Sequence, residues 1–167
     1  MTDLTAFNRT YTAYTRQGTT VFLANGGLSS TASGYNPTID IIAGENMDKG
    51  SPVYVSGTRC FAATASSSSQ LFESNVIGFT EETASLGAPV TVDLDGVVNI
   101  PGDRVTGEAG LTPGRYYFLS RYKGELTTNS SASGTVERPD YQVSVPVGVA
   151  VTTTALTIEI GSPTFLV

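Results

Sequence analysis

The chain has 167 residues, 40% of them hydrophobic and only 14% charged, and a net charge of −6 from fifteen acidic against nine basic residues. No cluster of Lys or Arg stands out, which argues against nucleic acid, because phosphate binding needs concentrated positive charge. Histidine is absent, which excludes triads and metal sites built on imidazole, and the single cysteine, Cys60, cannot close a disulfide within the chain.

Residues 1–36 are set apart by composition. Thr5, Thr10, Thr12, Thr15, Thr19 and Thr20 mix with Phe7, Tyr11, Tyr14, Val21 and Phe22, and a stretch rich in Gly and Ser follows at 25–34. These residues are β-prone, yet they neither alternate cleanly nor repeat at a helical period. They predict an extended N-terminal arm, with one strand near Thr20–Leu23, that orders against a partner. The alternative is a first strand tucked into the main domain.

Residues 37–167 read as a β domain. Alternation at Thr38–Ala43 predicts a strand, and Pro52–Ser56 with Arg59–Thr64 predicts a hairpin over Gly57. Asn75–Thr80 reads as a buried strand. Pro89–Leu94 and Val97–Ile100 flank Asp95-Gly96, a pair suited to a type I′ hairpin turn. Further strands follow at Arg115–Ser120, Glu125–Thr128, Gln142–Val151 and Ala155–Ile160, with the Ser-rich loops at 65–69 and 129–134 in like positions.

The strands repeat. Gly50-Ser51-Pro52-Val53-Tyr54-Val55-Ser56 is answered 64 positions later by Gly114-Arg115-Tyr116-Tyr117-Phe118-Leu119-Ser120. Ile77-Gly78-Phe79 is answered after 70 positions by Val147-Gly148-Val149, and Val90–Leu94 after 66 by Leu156–Ile160. Same order and similar spacing predict a duplicated β unit, with copies at about 44–100 and 108–161. Val90, Val92 and Leu94 match Leu156, Ile158 and Ile160, while Thr91 and Asp93 match Thr157 and Glu159. Each such strand would have one face inside and one in water. Val53, Tyr54 and Val55 are apolar on both faces, so that strand is central or covered. The fold class is all-β: a compact β-sandwich or barrel built from the two copies.

Reactive chemistry is sparse. Cys60 lacks a histidine base, so it reads as a small buried apolar residue rather than a nucleophile. No phosphate-binding glycine motif occurs. Asp93, Asp95 and Asp103, or Glu81 and Glu82, could supply the two carboxylates of a glycosidase, but they sit where strand faces and turns put acids anyway. Asp93-Leu94-Asp95-Gly96 starts like a calcium loop, yet its twelfth position is Arg104 instead of Glu. The expectation is no enzyme, no cofactor and no bound metal. No apolar run is long enough to span a membrane, and Met1-Thr2-Asp3-Leu4 does not open a secretory signal, so the sequons at Asn8 and Asn129 carry no weight. Tyr116, Tyr117, Phe118 and Tyr122, beside Arg115, Arg121 and Lys123, form the densest aromatic cluster. It could stack a sugar, but core packing together with a subunit contact fits it better.

The pattern Gly50-Ser51-Pro52-Val53-Tyr54-Val55, Val76-Ile77-Gly78-Phe79, Val90-Thr91-Val92, then Gly110–Ser120 and Val147-Gly148-Val149-Ala150, resembles small β-rich virion proteins of tailed phages. Capsid decoration (cement) and head-fibre proteins are the nearest in kind. The likeness covers about residues 38–160 and leaves the arm unmatched. It implies a structural virion protein on the outer capsid surface, made in the host cytoplasm, which stabilises contacts between capsomers. The implied partners are the major capsid protein and further copies of the chain, commonly in a homotrimer, with neither nucleic acid nor membrane. The residues expected to bind partners are Phe7, Tyr11, Tyr14, Phe22, Tyr54, Tyr116, Phe118 and Tyr122. A tail-fibre or receptor- or glycan-binding virion protein is the alternative.

Overall fold

In a computed structural model, the described residues are 11–16, 19–24, 37–65, 72–128 and 143–165. The chain divides into two units, Met1–Tyr35 and Asn36–Val167. In the first, β1 (Tyr11–Arg16) and β2 (Thr19–Ala24) pair antiparallel, Tyr11 opposite Ala24 and Arg16 opposite Thr19. The sequence predicts one strand here. Both Thr- and aromatic-rich segments are strand formers, and each gives the other the main-chain partners that a lone strand lacks.

The second unit opens with β3 (Thr38–Ala43), β4 (Pro52–Ser56), β5 (Arg59–Ala62), β6 (Gly78–Thr80) and β7 (Pro89–Asp93). They close into a barrel in the order β3-β5-β4-β6-β7, with β3 and β5 parallel and the other pairs antiparallel. Gly57, at φ 62°, turns β4 into β5 and sets Tyr54 opposite Phe61. Val53, Cys60, Ala62, Val90 and Val92 are buried, whereas Thr91 donates its hydroxyl to Asp40 in solvent, at 2.8 Å. A Cβ at Gly78 would lie 2.0 Å from the carbonyl oxygen of Asp93, so only glycine lets β6 approach β7 this closely.

There follow β8 (Val97–Asn99), β9 (Tyr116–Leu119), β10 (Leu126–Thr127), β11 (Val143–Ser144), β12 (Pro146–Ala150), β13 (Ala155–Ile158) and β14 (Thr164–Phe165). One sheet runs β10-β9-β12-β13-β8, and β11 pairs with β14.

The second sheet repeats key backbone hydrogen bonds of the barrel. Gly50 N–H donates to the Thr80 carbonyl as Gly114 N–H does to Ala150, both at 2.8 Å. Glu81 to Thr91 (3.0 Å) recurs as Val151 to Ala155 (2.7 Å), and Leu94 to Pro37 as Ile158 to Gly96, both 2.8 Å. Gly44 to Cys60 recurs as Thr106 to Leu126, again 2.8 Å each. Thus β3, β4, β5, β6 and β7 correspond to β8, β9, β10, β12 and β13.

Two sequence expectations change. The second copy begins at Val97, because β8 is the counterpart of β3: it pairs with β13, while β7 pairs with β3 and β6. Asp95-Gly96 therefore links the copies and is not a hairpin turn, although Gly96 keeps the positive φ of 89° that such a turn would use. Second, Phe79 faces Asp93 as Val149 faces Thr157, so Val90–Leu94 corresponds to Thr154–Ile158, two residues earlier than apolar matching suggests. A two-residue slip leaves every side chain on its own face, so alternation cannot reveal it.

The copies also close differently. In the first, β3 alone reaches both β7 and β5. In the second, β8 ends at Asn99, Pro101 and a 3₁₀ turn at Gly102–Arg104 intervene, and Val105 alone bridges Leu126 in parallel. Proline has no N–H for a ladder, which breaks the strand at this point. Tyr54, Val76 and Phe79 of the first copy share one buried cluster with Tyr117, Leu119, Leu126, Leu156 and Ile158 of the second.

Candidate functional site

Strand register sets the surface of the second copy. Tyr116, Val149, Thr157 and Val97 are successive cross-strand partners on β9, β12, β13 and β8. Cross-strand partners share a face, so these four form one row. Tyr116 is 59% exposed and Val97 49%, with Val149 and Thr157 partly covered between them. Phe118, two residues along β9 from Tyr116, is half-buried on the same side. In the first copy the same row is Pro52, Phe79, Asp93 and Thr38, and its first three members are buried. One face is therefore covered in copy one and open in copy two.

Tyr122 lies in the four-residue turn 121–124, which replaces the two-residue Gly57-Thr58 turn of the first copy. Tyr122 is 44% exposed. The Arg121 guanidinium sits 4.8 Å from its ring centroid and donates to the hydroxyl at 2.8 Å. The turn is tied to the first copy: Gly124 N–H donates to the Ala63 carbonyl (2.9 Å), Thr64 Oγ1 to the Arg121 carbonyl (2.8 Å), and Lys123 Nζ pairs with Glu45 Oε2 (2.6 Å). A guanidinium on an aromatic ring, held by a fixed turn, is a platform that can stack against a planar or sugar group.

Of the residues expected to bind partners, the structure exposes Tyr116 and Tyr122 and half-covers Phe118. Tyr54 is a correction: it is 6% exposed, stacked on Phe61 (centroids 5.6 Å apart) and edge-on to Phe72 (5.8 Å). The apolar second face of β4 predicts a covering element, and the second copy supplies part of it. Burial, reinforced by Glu73 and Glu45, pushes the Tyr54 phenol up. Tyr11 and Tyr14 lie on β1 and Phe22 on β2, while Phe7 lies outside the described residues. Val97 and Val149 escape sequence reading, since neither joins the row until β8 and β12 are placed on either side of β13.

The polar inventory is mostly structural. Burial pushes the Cys60 thiol up to about 11, which keeps it protonated and unreactive. Glu108 accepts from Tyr117 Oη (3.1 Å), Thr128 Oγ1 (3.1 Å) and Arg115 (3.4 Å), a tie between loops. Arg104 joins Asp48 (3.0 Å) and Asp103 (3.2 Å). Asp93 departs from expectation. Alternation puts it on a water-facing side, but it is only 4% exposed because the second copy lies against that part of the barrel. Its Oδ1 is buried and receives no hydrogen bond from an N–H or hydroxyl; the group facing the carboxyl is Glu81. Burial first, then the shared hydrogen bond and negative charge of Glu81, push Asp93 up to about 7. A cleft of about 250 Å³ beside the pair is lined by Lys49, Glu81, Asp93, Val97, Val98 and Asn99.

Among the described residues, no three His, Cys, Asp or Glu side chains gather as a metal site, and no helix is long and apolar enough to cross a membrane. No protein-family model matches the chain, and no curated protein is significantly similar to it.

Proposed function

We propose that the protein is a structural component of a phage virion that binds the outer capsid surface and stabilises contacts between capsomers. The observation that carries this reading is the open row Tyr116–Val149–Thr157–Val97, whose counterpart in the first copy is buried. A β scaffold that leaves such a face uncovered supports a binding role. Resemblance to decoration proteins supplies the partner, the major capsid protein, and the homotrimer. Repetition of identical sites around a shell would let a modest contact hold each copy. Residues 1–36 add a second contact, since paired strands can extend a partner's sheet through the main chain.

The test is co-sedimentation with empty shells assembled from a tailed-phage major capsid protein. The full chain is expected to pellet with the shells, while a variant lacking residues 1–30 stays folded and remains in the supernatant. Undiminished pelleting would remove the arm from the interface, and no pelleting of the full chain would remove the capsid reading. A glycan-binding tail protein is the second reading, favoured by the exposed Tyr122–Arg121 platform. It requires binding to host cells or a glycan array that Tyr122→Ala weakens.

A further inference from the structure

We propose that Asp93 and Glu81 form a binding site for a hard divalent cation of the calcium class, in the cleft where the two copies meet. The fold does not need carboxylates there. By the repeated hydrogen bonds, Asp93 corresponds to Thr157 and Glu81 to Val151, and the second copy makes the same backbone pairings with a hydroxyl and an isopropyl group. The first copy instead puts two acids against each other, one of them 4% exposed with an oxygen that receives no N–H or hydroxyl donor. Burying a carboxylate against a second acid, with one oxygen unsatisfied, is costly once both are ionised, and a bound cation removes the cost.

The chemistry of the site selects the ion. Its donors are the carboxylate oxygens of Asp93 and Glu81, and Asn99 lines the same cleft. All are hard oxygen donors; the chain has no histidine, and its one thiol is Cys60 in the barrel wall. Oxygen ligands suit Ca²⁺, which accepts six to eight of them irregularly arranged, while Mg²⁺ demands near-octahedral order. A cleft of about 250 Å³ leaves room for waters to complete the shell. With two acids supplying charge, affinity should fall in the range of roughly 10⁻⁴–10⁻³ M. The rival occupant is internal: Lys49 lines the cleft and could lay its ammonium over the pair.

Thermal unfolding of the full chain at pH 8 separates these. With 10 mM CaCl₂ we expect Tm about 3–5 °C above a NaCl control of equal ionic strength. MgCl₂ should give less, and both Asp93→Asn and Glu81→Gln should abolish the rise, whereas Lys49→Met should keep it. Equilibrium dialysis should find one Ca²⁺ per wild-type chain and none on Asp93→Asn, a readout that does not depend on stability. The proposal is overturned by the absence of a calcium-specific rise, or by a rise that persists in Asp93→Asn. It is equally overturned if Lys49→Met destabilises the protein while Ca²⁺ does nothing to the wild type, which would make the ammonium the occupant.

Discussion

The two copies share a hydrogen-bond skeleton and differ in what they do with it. Turn glycines recur, Gly50 with Gly114, and so does the close-approach pair Gly78 and Gly148. Interior positions change in size or polarity: Val53 becomes Tyr117, Cys60 becomes Leu126, and the buried hydroxyl-bearing Thr80 becomes Ala150. The outer row changes most. Pro52, Phe79, Asp93 and Thr38 give way to Tyr116, Val149, Thr157 and Val97. What is common is the strand skeleton and its close approaches; what differs most is the outer row. The row of the first copy meets the second copy, whereas the row of the second copy leaves Tyr116 and Val97 exposed.

The largest expected effect tests the common part. A Cβ at Gly78 would stand 2.0 Å from the Asp93 carbonyl oxygen, and one at Gly148 would stand 2.0 Å from that of Thr157. Backbone cannot yield as a flexible side chain can, so Gly78→Ala and Gly148→Ala should each destabilise by about 3 kcal/mol. Denaturant unfolding of both variants measures this. If one alanine is tolerated and the other is not, the copies do not share a structural rule at this point.

Much of this common part is legible in the sequence, and the physical reason is periodicity. Gly-then-alternation marks β4 and β9, and Gly78 and Gly148 stand out within otherwise apolar strands. The limits of the copies were not legible, because β8 looks like the return strand of a hairpin with Asp95-Gly96 at its tip. Local turn chemistry favours that pairing; the sheet instead gives β8 to β13, fifty-odd residues away in sequence. Among the candidate contacts, Tyr116 and Tyr122 could be named from aromatic density alone. For Tyr54 the sequence signals a covered face but not that the second copy covers it, and for Asp93 it signals a face in water. A period of two tells which residues share a face, but not whether another sheet covers it.

A smaller effect probes the Asp93–Glu81 pair, which only the first copy has. Unfolded, Asp93 loses its proton near its ordinary value of 3.8, while in the fold it holds the proton to about 7. Between these values the native state binds more protons than the unfolded state, so stability falls as pH rises. The benefit is complete below about pH 4 and gone above about pH 7. In EDTA, to exclude cations, Asp93→Asn should remove this slope, because an amide carries no titrating proton. The variant should be the more stable protein at pH 8, by on the order of 2 kcal/mol. Asp93→Thr, which imports the residue of the second copy, should behave alike. Urea unfolding at pH 5 and pH 8 checks both. An unchanged slope in Asp93→Asn would show that the pair shares no proton and that the copies differ here in sequence only.

The smallest effect on stability should accompany the largest effect on binding. Tyr116 is 59% exposed and Val97 49%, so removing either side chain uncovers little that folding had buried. Tyr116→Ser and Val97→Ser should each change unfolding free energy by no more than about 0.5 kcal/mol. If the open row is a partner surface, the double variant should lose at least about tenfold in affinity for shells, because exposed aromatics at the centre of an interface carry much of its energy. A change within the same row of the first copy, Phe79→Ser, whose counterpart is Val149, should instead cost about 3 kcal/mol or more of stability, since Phe79 is fully buried. Equal destabilisation of the two copies would mean that the row of the second copy is covered within the protein itself. Preserved shell binding by a stable Tyr116→Ser, Val97→Ser double variant would move the contact away from this face, leaving the Tyr122–Arg121 turn and residues 1–36 as the surfaces to probe.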